Sequence, residues 1–227
     1  DFEGVPAVNP KQSRSPLILT LYVQYLHEQD SAAFTRRASE QYTQGTLQRL
    51  AENPRREIRR AAVLALGFLG DYEANHTLGL ALLDTDRTVR LLADNAIRAV
   101  WCRAGERRQR RQLALCKRLN EAQQYGRTLE NAKRLIDQAP WFAEAWHQRA
   151  VAQSHLGQFA EAVRDYHETL ELNPYHFVAA AGMGRALLEL NDLVRALESF
   201  RRALRLNPDL EGVRVQVVRL ARLVEDA

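Results

Sequence analysis

The sequence predicts an all-α fold, a superhelical solenoid of stacked helix pairs, on three observations. Pro140, Pro174 and Pro208 are spaced by 34 residues, an upstream stretch repeats at 31, and no segment alternates like a strand over more than a few residues. A fixed period of about 20 to 50 residues marks units that cannot bury an apolar face alone and so must stack. With 26% charged and 46% hydrophobic residues in 227, disorder and collagen-like order are excluded. The longest apolar runs, Ala61–Gly67 and Leu78–Leu83, fall well short of the roughly 18 residues of a membrane span.

From the start, Asp1–Ser15 is rich in proline and polar residues and reads as an extended leader over residues 1–15. Ser15-Pro16 then opens a helix through about Glu28, and a second runs from Ser31 to about Tyr42, so residues 16–44 are expected to cap the array. The chain opens at Asp1 and its one methionine is Met183, which suggests a processed or truncated form and leaves cytoplasm and periplasm equally open.

Residues 45–104 carry the 31-residue period. Ile58, Ala61, Ala62, Ala65, Leu66 and Leu69 form the stripe of an amphipathic helix, and adding 31 gives Val89, Leu92, Ala93, Ala96, Ile97 and Val100. Arg59 corresponds to Arg90, and Asn53-Pro54 to Asp84-Thr85, supplying a cap residue and, once, a first-turn proline. Shorter helices, about Gly45–Glu52 and Ala74–Leu83, complete two pairs. Through Asn53-Pro54, Ile58-Arg59, Ala62, Ala65-Leu-Gly67 and their partners Asp84, Val89-Arg90, Ala93 and Ala96, this segment resembles the HEAT repeat family.

Residues 105–227 carry the 34-residue period as Gln109–Phe142, Ala143–His176 and Phe177–Leu210, closed by a helix from Glu211 to about Val224. Trp146, Ala150, Gly157, Phe159, Ala162, Tyr166, Thr169 and Pro174 fall 34 residues before Ala180, Gly184, Asn191, Leu193, Ala196, Phe200, Ala203 and Pro208. The small residues suit a close helix crossing, Tyr166 and Phe200 fill the space beside it, and Gly157 and Asn191 suit a left-handed turn. These units resemble the tetratricopeptide repeat family, of a bacterial subgroup. The first is a degenerate copy: it keeps Leu115, Leu119, Tyr125, Leu135 and Pro140 but has Cys116, Gln123 and Thr128 where small residues or glycine are usual.

The resemblance implies a non-catalytic scaffold that holds a protein or peptide in a concave groove lined by positions 2, 5, 9 and 12 of each unit. Position 9 reads Lys117, Val151, Arg185 and Arg219; position 2 contributes Arg110, and position 12 Asn120 and Arg222. The expected groove residues are Lys117, His147, Arg185, Arg219 and Arg222. Such a row of cations favours an acidic segment or a terminal carboxylate, which guanidinium groups grip in bidentate fashion, the alternative being solvated surface charge. The family's clamp for chain-terminal carboxylates uses an asparagine at position 6, where this chain has Ala114, Gln148 and Gly182; that departure speaks against a chaperone-tail receptor.

Between residues 103 and 118, Arg103, Arg107, Arg108, Arg110, Arg111, Lys117 and Arg118 face only Glu106. A basic junction of Arg107, Arg108, Arg110 and Arg111 could touch nucleic acid or another anionic polymer. A solvated helix face is the alternative, and only Trp101 is at hand for stacking on bases. The net charge of +4 makes no nucleic-acid binder by itself.

Catalytic and metal chemistry finds little support. Cys102 and Cys116 lie 14 apart with no Cys-x-x-Cys spacing. Among six histidines none forms His-x-x-x-His; His147 and His155, two turns apart on one helix, come nearest and lack carboxylate or thiolate partners. Gly182-Met-Gly184 lacks the third glycine of a dinucleotide fingerprint, Asp84-Thr-Asp86 falls where a helix cap is needed, and Asn75-His-Thr77 is a sequon near random expectation. No catalytic residue, metal or cofactor is expected. The rival reading is the interaction segment of a larger enzyme or electron-transfer protein whose active domain precedes residue 1.

Overall fold

A computed structural model describes residues 16–225; the leader expected over residues 1–15 lies outside them. The described residues form α1 (Leu17–Glu28), α2 (Ser31–Gln41), α3 (Gln44–Leu50), α4 (Arg56–Leu69), a 3-10 turn (Tyr72–Ala74), α5 (Asn75–Ala81), α6 (Arg87–Arg103), α7 (Arg107–Glu121), α8 (Tyr125–Gln138), α9 (Ala143–His155), α10 (Phe159–Leu172), α11 (Phe177–Glu189), α12 (Leu193–Leu206) and α13 (Glu211–Glu225). No strand occurs among them. The fold is all helical, and consecutive helices pack on one another throughout the second half.

The 31-residue period is visible in hydrogen bonds as well as in apolar stripes. Arg59 on α4 donates to the carbonyls of Asn53 and Pro54 and holds Asp84 with two bonds of 2.7 Å. Arg90 on α6 donates in the same way to the carbonyls of Asp84 and Thr85. The caps differ from expectation. Asp86, not Asp84, caps α6 by accepting from Val89 N–H at 3.0 Å: it is the residue directly before the first helical position, Arg87, while Asp84 Oδ1 accepts the Asp86 N–H. Pro54 precedes the N-cap of α4, Arg55, instead of entering the first turn, and Asn53 Oδ1 accepts the Arg55 N–H.

The 34-residue period recurs in the turns. Gln123, Gly157 and Asn191 take left-handed backbone, with φ of 57°, 74° and 59°. The residue after each reaches back five positions: Gln124 to Leu119, Gln158 to Gln153 and Asp192 to Leu187. The 109–142 stretch thus makes the same turn without a glycine. Phe200 and Gly184 meet as expected: a Cβ added at Gly184 would lie 2.8 Å from the ring. Each fully buried ring, Phe142, Phe177 and Phe200, contributes on the order of 1.5–3 kcal/mol by leaving water.

A one-dimensional stack would join each helix pair only to its neighbours. Here α5 and α6 also pack against the turns that precede α11 and α13. Tyr72 Oη donates to the Leu172 carbonyl, Asn75 to Asn173, and Asn207 to Asp94, across 100, 98 and 113 residues. Phe177 belongs to the same buried core as Trp101 and Val100, with Tyr175, Leu206 and Leu210 packed against it. The 31-residue part therefore braces one edge of the 34-residue part.

Candidate interaction surface

The first helices of the three 34-residue units, α7, α9 and α11, and the closing helix α13 carry the positions expected to line the concave wall. Their surroundings divide the wall in two. At the α7–α9 end it is filled by the chain's own side chains. Lys117 is half-buried with its ammonium 3.4 Å from Cys102 Sγ. Asn120 Nδ2 donates to both the carbonyl and the side-chain oxygen of Gln148, and Gln148 Nε2 donates to Glu144 Oε1 at 2.9 Å. His147 is only 8% exposed and its Nδ1 lies 3.1 Å from Glu144 Oε1, so it does not offer itself to an open groove.

His176, which sequence reasoning passed over, completes this cluster. Its Nδ1 accepts the Ala179 N–H at the start of α11, and its Nε2 lies 3.0 Å from Glu144 Oε2. A backbone N–H can only donate, so Nδ1 is unprotonated and Nε2 carries the hydrogen it donates to Glu144. Burial, helped by the charge of His147, lowers the His176 pKa to about 4 against the opposing pull of Glu144. Burial also opposes ionisation of Glu144, but His147 and His176 outweigh it and hold the carboxyl well below its usual range. The arrangement is an ionised glutamate bonded by a neutral His176.

Three ligand atoms of Glu144, His147 and His176 lie within 4.8 Å of one another, the spacing a metal ion would need. The His176 tautomer does not suit that role: Nε2 bears a proton, and freeing it would require giving up the cap on α11 or forming an imidazolate. His147 and His155, the nearest approach to a histidine pair in the sequence, have separate partners: His155 stacks on Tyr125 at 4.6 Å, and His147 lies 4.5 Å from His176. The signal for the real cluster was positional: Glu144 and His147 are three apart on one helix, and His176 precedes the equivalent helix one repeat later.

The α11–α13 end is open. Arg185, Arg219 and Arg222 are exposed and make no hydrogen bond or ion pair among the described residues. Arg219 and Arg222 share a surface hollow of about 570 Å³ with Arg214, Val215, Val218 and Leu223; Arg185 borders the next hollow, against Gly212, Val213 and Gln216. Val215 and Val218 are 64% and 52% exposed, an apolar strip between cations.

The basic junction is smaller than its sequence suggests. Arg107, Arg108, Arg110 and Arg111 are exposed on α7. Arg103 is withdrawn from it, donating to the carbonyls of Gly67 and Gly70 at the end of α4, and Lys117 is turned toward Cys102. Trp101, the aromatic that would have stacked on a base, is buried against His176.

The tetratricopeptide repeat family matches residues 143–176 and again 178–210. The chain carries two tetratricopeptide repeats. Solved structures similar to it include the first TPR of Spaghetti (RPAP3) bound to the HSP90 peptide SRMEEVD, at 20% identity and a TM-score of 0.50, covering 52% of this chain and 93% of that one. The Sgt2 TPR domain from Aspergillus fumigatus is 17% identical with a TM-score of 0.51, covering 54% of this chain and 83% of that one. At such identities the likeness is one of fold, the helix-pair architecture that tetratricopeptide modules share.

Proposed function

We propose that the protein is a non-catalytic interaction scaffold whose repeats hold an acidic segment of a partner protein at the α11–α13 end of the concave wall. The observation that carries this reading is the set of unpaired, exposed Arg185, Arg219 and Arg222 beside the apolar strip of Val215 and Val218. Guanidinium groups at repeat-equivalent positions suit carboxylates spaced along a peptide, while the valines take its apolar side chains. The Spaghetti structure was solved with an HSP90 peptide that contains two glutamates and an aspartate, which supports an acidic ligand class for this architecture. A terminal-carboxylate clamp is not part of the proposal: position 6 is Ala114, Gln148 and Gly182, and the Gln148 amide is already committed to Asn120 and Glu144. Residues 45–104, read as HEAT-like repeats, act as the brace of this surface, and residues 109–142 as a third, degenerate repeat that closes its other end.

The test is fluorescence anisotropy with labelled acidic, neutral and basic peptides on the wild type and the Arg185→Glu/Arg219→Glu double variant. Acidic peptides should bind best, lose at least tenfold in affinity in the variant, and weaken as salt rises. Equal binding of acidic and basic peptides, or indifference to the substitutions, would overturn the reading.

A further inference from the structure

A cavity of about 90 Å³ lies where the end of α6, the start of α9 and the α10–α11 turn meet. Its walls are the rings of Tyr72, Trp101, Trp141 and Phe142, and it is separate from the arginine wall just described. Two sets of hydrogen-bond donors on its lining residues have no acceptor among the described residues.

The first is the start of α9. Ala143 and Glu144 line the cavity at the first turn of this 13-residue helix, whose N-cap, Phe142, has no side-chain acceptor. Neither backbone N–H is bonded among the described residues. Helix starts present free N–H groups along the axis together with a partial positive charge.

The second is Asn173, which is fully buried and also lines the cavity. Its orientation is dictated by a chain of donors. The Trp101 indole N–H can only donate, and it gives to Asn75 Oδ1 at 2.7 Å. Asn75 Nδ2 therefore donates to Asn173 Oδ1 at 2.9 Å, and the Tyr175 N–H donates to the same oxygen. Asn173 Nδ2 is left with no partner. One repeat later Asn207 is built alike, its Oδ1 accepting the Asp209 N–H, but its Nδ2 donates to Asp94 at 3.1 Å. Of the two equivalent asparagines, the one on the cavity lacks its acceptor.

Charge narrows what can supply it. The Glu144 carboxylate stands at the wall with both oxygens already bonded by His147, Gln148 and His176, so a second anion is repelled. A cation is opposed by the donors. A neutral acceptor on a compact apolar group fits both conditions. We propose that this cavity binds a carboxamide, its oxygen accepting from Asn173 Nδ2 and the first turn of α9 and its short alkyl part lying against the aromatic walls. The amide can come as a free small molecule or as an asparagine or glutamine side chain of a protein. The rival occupant is water, of which the volume holds roughly three molecules at about 30 Å³ each.

The experiment uses the full chain and its tryptophan fluorescence, Trp101 and Trp141 being wall residues. Propionamide is titrated against propionate and propylamine, and the blocked tripeptide acetyl-Gly-Gln-Gly-amide against its Gln→Ala counterpart. Propionamide should give a saturable change, with propionate and propylamine at least tenfold weaker. Asn173→Asp, which keeps the accepting oxygen and replaces the donor, and Ala104→Leu, which fills the cavity, should each weaken binding at least tenfold. Ala104→Leu carries the test if Asn173→Asp fails to fold. Tighter binding of the glutamine tripeptide than of propionamide assigns the site to a partner's side chain, and the reverse order assigns it to a free amide. No saturation with any amide, an equal response to propionate, or unchanged binding in Ala104→Leu overturns the proposal and leaves water as the occupant.

Discussion

Arg90 on α6 grips Asp209, 119 residues further along the chain, through Nε–Oδ2 and Nη2–Oδ1 bonds of 2.8 and 3.2 Å. This repeats, rung for rung, the hold of Arg59 on Asp84 one 31-residue period earlier. The aspartate that a further 31-residue unit would supply comes instead from the turn between α12 and α13. The two periodic halves are thus joined through a position that the first half's own pattern leaves open.

If that rung couples the halves, a double-mutant cycle of Arg90→Ala and Asp209→Ala should show a favourable, non-additive interaction. The pair is partly exposed, so the value should shrink with added salt. Urea unfolding of the four species measures it; additive effects would show that the rung joins nothing.

Trp101 lies flat on His176, ring centroids 4.1 Å apart, and bonds Asn75 through its indole nitrogen. Trp101→Ala should cost about 3–5 kcal/mol by leaving a cavity and an unpaired Asn75 oxygen. Trp141, half-exposed, should cost far less when changed to Ala. Chemical denaturation of both variants checks the contrast.

Acid should destabilise the fold in two stages. The His176 pKa is lowered to about 4 from an ordinary 6.5, chiefly by burial, so the unfolded chain takes up the proton first as pH falls. The stability it contributes is whole above pH 6.5, is lost on the way down to about 4, and changes little below, with a slope of at most about 1.4 kcal/mol per pH unit. Burial disfavours the Glu144 carboxylate, but His147 and His176 keep its pKa well below 4.5, so a second loss begins below that pH as the unfolded chain protonates first. His176→Asn retains a capping oxygen; it should abolish the first stage and, by removing one of the two groups that hold Glu144 ionised, also weaken the second, as read from urea midpoints between pH 7.5 and 3.

Gly79 and Gly126 should respond oppositely to alanine. A Cβ at Gly79 would fall 2.2 Å from the Tyr175 ring, pushing α5 off the α10–α11 turn, for a loss of about 1–3 kcal/mol. Gly126, near the start of α8, has nothing within 4 Å, and alanine there should add a few tenths of a kcal/mol. Thermal melts of the two variants compare them directly.

Gln123 pays a backbone penalty that Gly157 avoids at the same point of the repeat, both having positive φ. Gln123→Gly should therefore raise stability by about 0.5 kcal/mol, the relief exceeding the entropy glycine adds to the unfolded chain. A lower melting temperature in this variant would refute the account.

Much of the helix pairing was legible because it rests on spacing within a few turns. The stripe from Ile58 to Leu69, its copy 31 residues on, and the turn residues Gly157 and Asn191 report local geometry that any helix pair must satisfy. Arg59 and Arg90 could be matched by their spacing, but nothing in it names Asp209 as a partner. The groove positions were only half legible. Arg185, Arg219 and Arg222 are open as their register suggests, whereas Lys117 is claimed by Cys102 on α6 and His147 by Glu144 on its own helix and by the neighbouring His176.

By itself the chain's order of residues determined an all-helical stack, its two periods, its left-handed turns and the cations at one repeat position, since each follows from contacts between residues close in sequence. The closure of α5 and α6 onto the repeat turns, the burial of Glu144 between two histidines and the orphaned amide of Asn173 came with the tertiary fold. They depend on side chains about 30 to 120 positions apart, and a one-dimensional period carries no information about which edges of a stack will meet.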